Sequence, residues 1–139
     1  MQSANFTSKR FDDLDLNACI NHLIYGTTIQ KITKQGNGRT HSIFFYIFED
    51  DLSQLQWISN LKQLRDSRID LKSVTSITET PTALKRKKID KYDASLLLSI
   101  HHGNNEELVL TFPDLDLKRE WWHGLQYFVQ KAQLEQDLV

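Results

Sequence analysis

The hydrophobic period of this chain changes twice, and that pair of changes restricts its fold more than any other feature. Leu16, Ile20, Leu23 and Ile24 recur at helical spacing behind Asp12, Asp13 and Asp15. Acidic residues ahead of such a stripe suit a helix N-terminus, and Gly26 suits its end. The spacing therefore predicts a short amphipathic helix over about 14–25, with Cys19 packed rather than reactive. From Thr27 the period becomes two. TTIQKITK (27–34) reads as a strand, QGNGR (35–39) as a hairpin tip and HSIFFYIFE (41–49) as a second strand, because Gly-Asn-Gly between β-rich runs is a hairpin signal. A turn at Asp50–Asp51 and further strands at 54–58, 68–71, 74–77, 94–102 and 107–112 follow. After Pro113 the helical period returns: Leu117, Trp121, Leu125, Phe128 and Ala132 form one stripe, capped by Asp114, over about 114–132.

Seven short strands followed by one amphipathic helix predict a mainly β fold. Two antiparallel sheets, or one strongly bent barrel, leave an open end, and the helix stripe led by Trp121 plugs it. Trp122 stands one position off the stripe and is expected to be half exposed. Gly124 inside the helix costs about 1 kcal/mol against alanine, and close approach of the helix to the sheet is the expected compensation.

The 139 residues suffice for one domain, read as 14–133 between flexible ends at 1–13 and 134–139. The net charge of -1 argues against a general nucleic-acid binder, so attraction to an anionic surface must come from a local patch. Cys19 is the only cysteine, which excludes an intrachain disulfide and a multi-thiolate zinc site. No apolar run reaches the roughly 18 residues of a membrane span, the first residues lack a signal-peptide core, and Gln2 stands where N-myristoylation needs glycine. The expectation is a cytoplasmic protein whose membrane contact is peripheral.

Catalytic chemistry has no foothold in the sequence. There is no nucleophile elbow, phosphate-cradling loop or His-Glu metal motif. His101 and His102 are adjacent in a strand and so point to opposite faces, and Asp50–Asp51 lacks the alternating ligands and glycine of a calcium loop. The reading is a non-enzyme with no cofactor and no metal.

Several runs in this order resemble a pleckstrin-homology (PH) domain of the type found in phosphoinositide-specific phospholipase C. They are CINHLIYGTTIQK (19–31), FYIFEDDLSQLQW (45–57), RIDLKSVTSI (68–77), LSIHHGNNEELVL (98–110) and WWHGLQYF (121–128), covering roughly 16–130. Trp121, three residues before Gly124-Leu125, looks like the family's hallmark tryptophan. The resemblance implies a PH-like seven-stranded bent antiparallel sandwich or barrel, with a C-terminal capping helix and an extra N-terminal helix. It also implies a site at the open mouth between strands 1–2 and 3–4, where basic side chains grip the phosphates of an inositol headgroup. Lys31 falls on the strand-1 lysine position. The second basic position of that strand falls on Thr33, with Lys34 beside it. Phe44 replaces the strand-2 arginine that precedes the Phe-Tyr pair. Lys62 fits the basic cluster of the loop after strand 3, while Arg39 and His41 lie nearby. The implied headgroup set is thus Lys31, Lys34, Arg39, His41 and Lys62. Phenylalanine cannot supply an arginine's bidentate phosphate bonds, so loose binding of acidic lipid is expected in place of stereospecific recognition.

A second basic group lies in the aperiodic stretch 79–93: Lys85, Arg86, Lys87 and Lys88, with Lys91. It reads either as an electrostatic membrane patch or as an ordinary solvated loop. Two functions follow. The first is a membrane-docking module for phosphoinositides or other acidic phospholipids, with modest affinity and no nucleic-acid partner. The alternative is a scaffold domain that has lost specific lipid binding and holds a protein partner on a sheet face or on the N-terminal helix.

Overall fold

The computed structural model describes residues 15–32, 40–58, 67–79 and 92–138. It opens with helix α1, Leu16–Tyr25. Asp15 caps the helix, its carboxylate accepting from the backbone N–H of Asn17 at 3.0 Å and of Ala18. Gly26 ends it, donating its N–H to the His22 carbonyl at 2.9 Å. The strands follow: β1 Thr27–Ile32, β2 Thr40–Ile47, β3 Gln54–Ile58, β4 Arg68–Asp70, β5 Val74–Thr78, β6 Leu97–His102 and β7 Glu106–Thr111. Helix α2, Leu115–Leu138, closes the chain, with Asp114 accepting from the Leu117 N–H at 2.8 Å at its start.

All seven strands form one antiparallel sheet in the order β4-β3-β2-β1-β7-β6-β5. Laid flat, it would separate β4 from β5 by roughly 29 Å, six steps of about 4.8 Å. Yet these edge strands are joined by a single 3-10 turn, Leu71–Ser73, so the sheet must curl until its two ends meet. Of the two architectures left open by the sequence, the structure is the single bent sheet. Its concave face, with Ile29, Phe45, Ile47, Leu55, Trp57, Ile69, Leu98, Ile100, Leu108 and Leu110, meets Trp121, Leu125, Phe128 and Ala132 of α2 in one core. Trp121 is fully buried and Trp122 half-buried.

Several boundaries depart from the sequence reading. Ala94–Leu96 form a 3-10 turn capped by Asp93, and β6 starts only at Leu97. Helix α2 runs past residue 132 and takes in 134–138, which the sequence had assigned to a tail. The glycine in α2 also has a different neighbour from the one expected. A Cβ on Gly124 would stand 2.7 Å and 2.9 Å from the two methyls of Leu23, so the close approach is between α2 and α1, not between α2 and the sheet. A His22–Glu120 pair at 2.9 Å joins the same two helices. Cys19 is buried, and burial first, then the nearby carboxylates of Glu120 and Asp15, push its thiol pKa up.

The outer face of the sheet carries a small core of its own, which the sequence reading missed. Ile32, Leu97 and Val109 pack there with Tyr92. Beside them the buried Ser99 hydroxyl donates to the buried Glu107 carboxylate, and His101 Nε2 lies 3.5 Å from that carboxylate. The adjacent apolar pair Leu97–Leu98 at the start of β6 was the available signal, because a strand buried on both faces loses its alternation.

Candidate functional site

β1 and β3 flank β2 and run in the same direction, so the chain leaves both toward one end of the sheet. Lys31 stands at that end of β1, directly opposite His41 of β2 and Leu110 of β7. Directly opposed residues of an antiparallel pair share a face. Lys31 and His41 therefore lie on the concave side with Ile29, Ile43 and Leu110, at its rim. The Lys31 Nζ sits 5.3 Å from the ring centroid of Trp57, which itself packs on Phe45 with centroids 5.3 Å apart. An ammonium over an indole gains about 0.5–2 kcal/mol. That contact helps to orient the ammonium at the rim.

The structure thus brings together two of the expected headgroup residues, Lys31 and His41, and adds Trp57, which the linear sequence gave no reason to pair with Lys31. Lys34, Arg39, Lys62, Lys85, Arg86, Lys87, Lys88 and Lys91 lie outside the described residues. The flanks of the 85–91 segment are described, and they are anchored. Buried Lys118 of α2 places its Nζ 2.7 Å from the Glu79 carboxylate and donates to the Ser95 carbonyl at 2.6 Å.

Phe44 has a different place from the one its position in the motif suggested. It pairs with Thr28 and Ile58, three residues along β2 from His41, and so points to the opposite, outer face. There its ring lies against Gly26 and 6.0 Å from the Tyr46 ring. The missing arginine at residue 44 consequently removes no charge from the face that carries Lys31.

A wide cavity of about 590 Å³ lies elsewhere, bordered by Asp50, Asp51, Lys72, Lys131 and Glu135. Its mixed charge does not suit an anion. Asp51 is already engaged: the Ser53 hydroxyl and N–H and the Gln54 amide donate to its carboxylate and hold its pKa below the usual range, the Ser53 hydroxyl most of all. Among the described residues no group of three or more His, Cys, Asp or Glu side chains is arranged to hold a metal ion, and no helix is long and apolar enough to cross a membrane.

No family model matches the sequence, and no curated protein matches it. Solved structures do match the fold. Inner membrane complex sub-compartment protein 1 from Toxoplasma gondii superposes with a TM-score of 0.62 at 14% identity, over 84% of this chain and 91% of that one. The PH domain of human oxysterol binding protein-related protein 11 gives 0.58 at 17% identity, over 79% and 82%. PLC21 of L. pealei gives 0.59 at 14% identity, over 78% of this chain and 15% of that much longer one. The fold is the pleckstrin-homology fold, as the sequence resemblance implied.

Proposed function

We propose that this domain is a non-catalytic docking module that holds its protein on a cytoplasmic membrane surface through acidic phospholipids, phosphoinositides among them. The supporting observation is Lys31, fixed over Trp57 on the concave rim opposite His41. In sequence, Lys34 and Arg39 belong to the connection that leaves β1 at that end, and Lys62 to the one that leaves β3. Anionic headgroups are the ligand class that such a basic rim suits. The PH fold of the oxysterol binding protein-related protein and of PLC21 agrees with this reading at the level of architecture.

The affinity is modest. A basic residue near an acidic membrane contributes about 1 kcal/mol, so the four residues Lys85, Arg86, Lys87 and Lys88 give roughly 4 kcal/mol, a millimolar dissociation constant. The rim around Lys31 must supply the rest. Co-sedimentation with phosphatidylcholine vesicles containing acidic phospholipid tests the proposal. Binding is expected to rank lipids by headgroup charge and to fall steeply as salt rises through about 0.1–0.5 M, where exposed charges are screened within about 10 Å or less. No sedimentation at low salt with any acidic lipid would end the proposal. Salt-tolerant, position-selective micromolar binding of a soluble inositol polyphosphate would replace loose docking with a structured pocket.

A further inference from the structure

β4, Arg68–Asp70, is one edge of the sheet. The turn Leu71–Ser73 links it to the other edge strand, β5, and no ladder joins the two. The hydrogen bonds between β4 and β3 fix which backbone groups remain on the open side. The Leu71 N–H donates to the Ser53 carbonyl at 2.7 Å, and the Trp57 N–H to the Ser67 carbonyl at 2.9 Å. These bonds flank the opposed residues Gln54↔Asp70 and Gln56↔Arg68, which makes both of them non-hydrogen-bonded pairs of the ladder. Ile69 therefore turns its N–H and C=O toward β3, while Arg68 and Asp70 turn theirs outward.

A short edge with charged side chains ordinarily discourages strand addition. Here the charges are arranged symmetrically and with opposite sign. Arg68 and Asp70 are exposed on the outer face, and Ile69 between them is buried in the concave core. Laid antiparallel against a second β4, with Ile69 opposite Ile69, each Arg68 stands opposite the other copy's Asp70. These are the residues whose backbone groups point outward, so each opposed couple can exchange both of its N–H···O=C bonds. Directly opposed residues share a face, so a guanidinium–carboxylate pair forms at each. The Asp70 carboxylate uses one oxygen to accept from the Lys72 N–H at 3.0 Å, and its second oxygen can take the guanidinium. The Asp70 carbonyl accepts from the Ser73 hydroxyl at 2.7 Å and has another lone pair. Other registers are penalised: one centred on Arg68 opposes two guanidinium groups, and one centred on Asp70 opposes two carboxylates.

We propose that β4 pairs antiparallel with the β4 of a second copy of this chain, making a twofold-symmetric dimer whose two sheets run on as one. Such a contact closes on itself and leaves neither β4 with an open edge. Three residues a side make a small interface, so the dimer is weak and forms at high local concentration. It is separate from the rim at Lys31 and does not depend on lipid binding.

The test combines sedimentation velocity with NMR of the isotope-labelled domain, over a series from about 10 μM to 1 mM. The parent is expected to move from monomer toward dimer, with the Arg68 and Asp70 amides among those whose shifts change on dilution. Arg68→Asp and Asp70→Arg each oppose like charges across the join, and each should weaken self-association about tenfold or more. Mixed in equal amounts, the two variants should associate again, because the acidic edge of one then faces the basic edge of the other. A parent that is monomeric at the top of the series, or dilution shifts that spare Arg68 and Asp70, would overturn the proposal. So would an Arg68→Asp variant that associates like the parent, or a mixture of folded variants that associates no better than either alone. Asp70 also caps the turn Leu71–Ser73; if Asp70→Arg does not fold, the parent's dilution series and Arg68→Asp decide the matter.

Discussion

Replacing Trp121 with alanine is expected to destabilise the domain by about 3–5 kcal/mol, the usual range for truncating a buried tryptophan. The side chain is fully buried between α2 and the concave face of the sheet. Its indole N–H has no hydrogen-bond partner among the described residues, so the loss is one of packing and cavity formation rather than of a broken bond. Trp121→Phe keeps most of that volume and removes the unmatched donor, and is expected to cost less than half as much. Domains of this size are stable by about 5–15 kcal/mol in total, so the alanine variant should melt roughly 10–20 °C lower. Urea and thermal denaturation measure both. An alanine variant within 1 kcal/mol of the parent would mean that α2 does not plug the sheet as described.

Gly26→Ala is the second large effect, and it arises from the backbone. Gly26 has φ 97° and ψ 161°, a region essentially restricted to glycine, which costs other residues about 1–3 kcal/mol. The new Cβ would also overlap the Phe44 ring tip, standing 2.6 Å from its Cε2 and 3.0 Å from the Phe45 carbonyl oxygen. The ring can turn aside, but the carbonyl belongs to β2 and cannot. The expected cost is about 3 kcal/mol or more, concentrated where α1 hands the chain to β1. Hydrogen exchange should show α1 losing protection before the sheet does. A stability change below about 0.5 kcal/mol, typical of a neutral surface site, would contradict the geometry at this junction.

Local periodicity explains why so much of the fold could be read in advance. The third strand occupies the same residues, 54–58, that alternation marked. Asp15 and Asp114 cap the two helices because a short carboxylate before an apolar stripe has backbone N–H groups to meet. What could not be read depends on neighbours brought in from afar. A glycine inside α2 signals close approach, but only the folded chain reveals that Leu23 of α1 is what approaches. Glu107 looks like a solvent-facing residue of β7 until the outer face of β6 and β7 proves to be covered. The site divides in the same way. The resemblance named Lys31 as a candidate, whereas the ring it lies over, Trp57, stands two strands away. The opposite orientation of Phe44 was within reach of simple alternation, since an odd offset from His41 reverses the face.

The central claim is that Lys31 touches a lipid headgroup at a fixed place while the 85–88 cluster acts as a diffuse charge. Vesicle co-sedimentation of the parent, of Lys31→Glu, and of a variant with Lys85, Arg86, Lys87 and Lys88 changed to glutamine tests it most directly. Reversing one charge near an acidic surface is worth about 2 kcal/mol, or roughly 30-fold in affinity. Lys31→Glu is predicted to lose more than that, because it also removes a positioned donor from the rim. The four-residue variant is predicted to lose affinity about equally for every acidic lipid and to fold like the parent. If both variants sediment with vesicles as the parent does, the domain does not dock on lipid through these residues, and the account is contradicted.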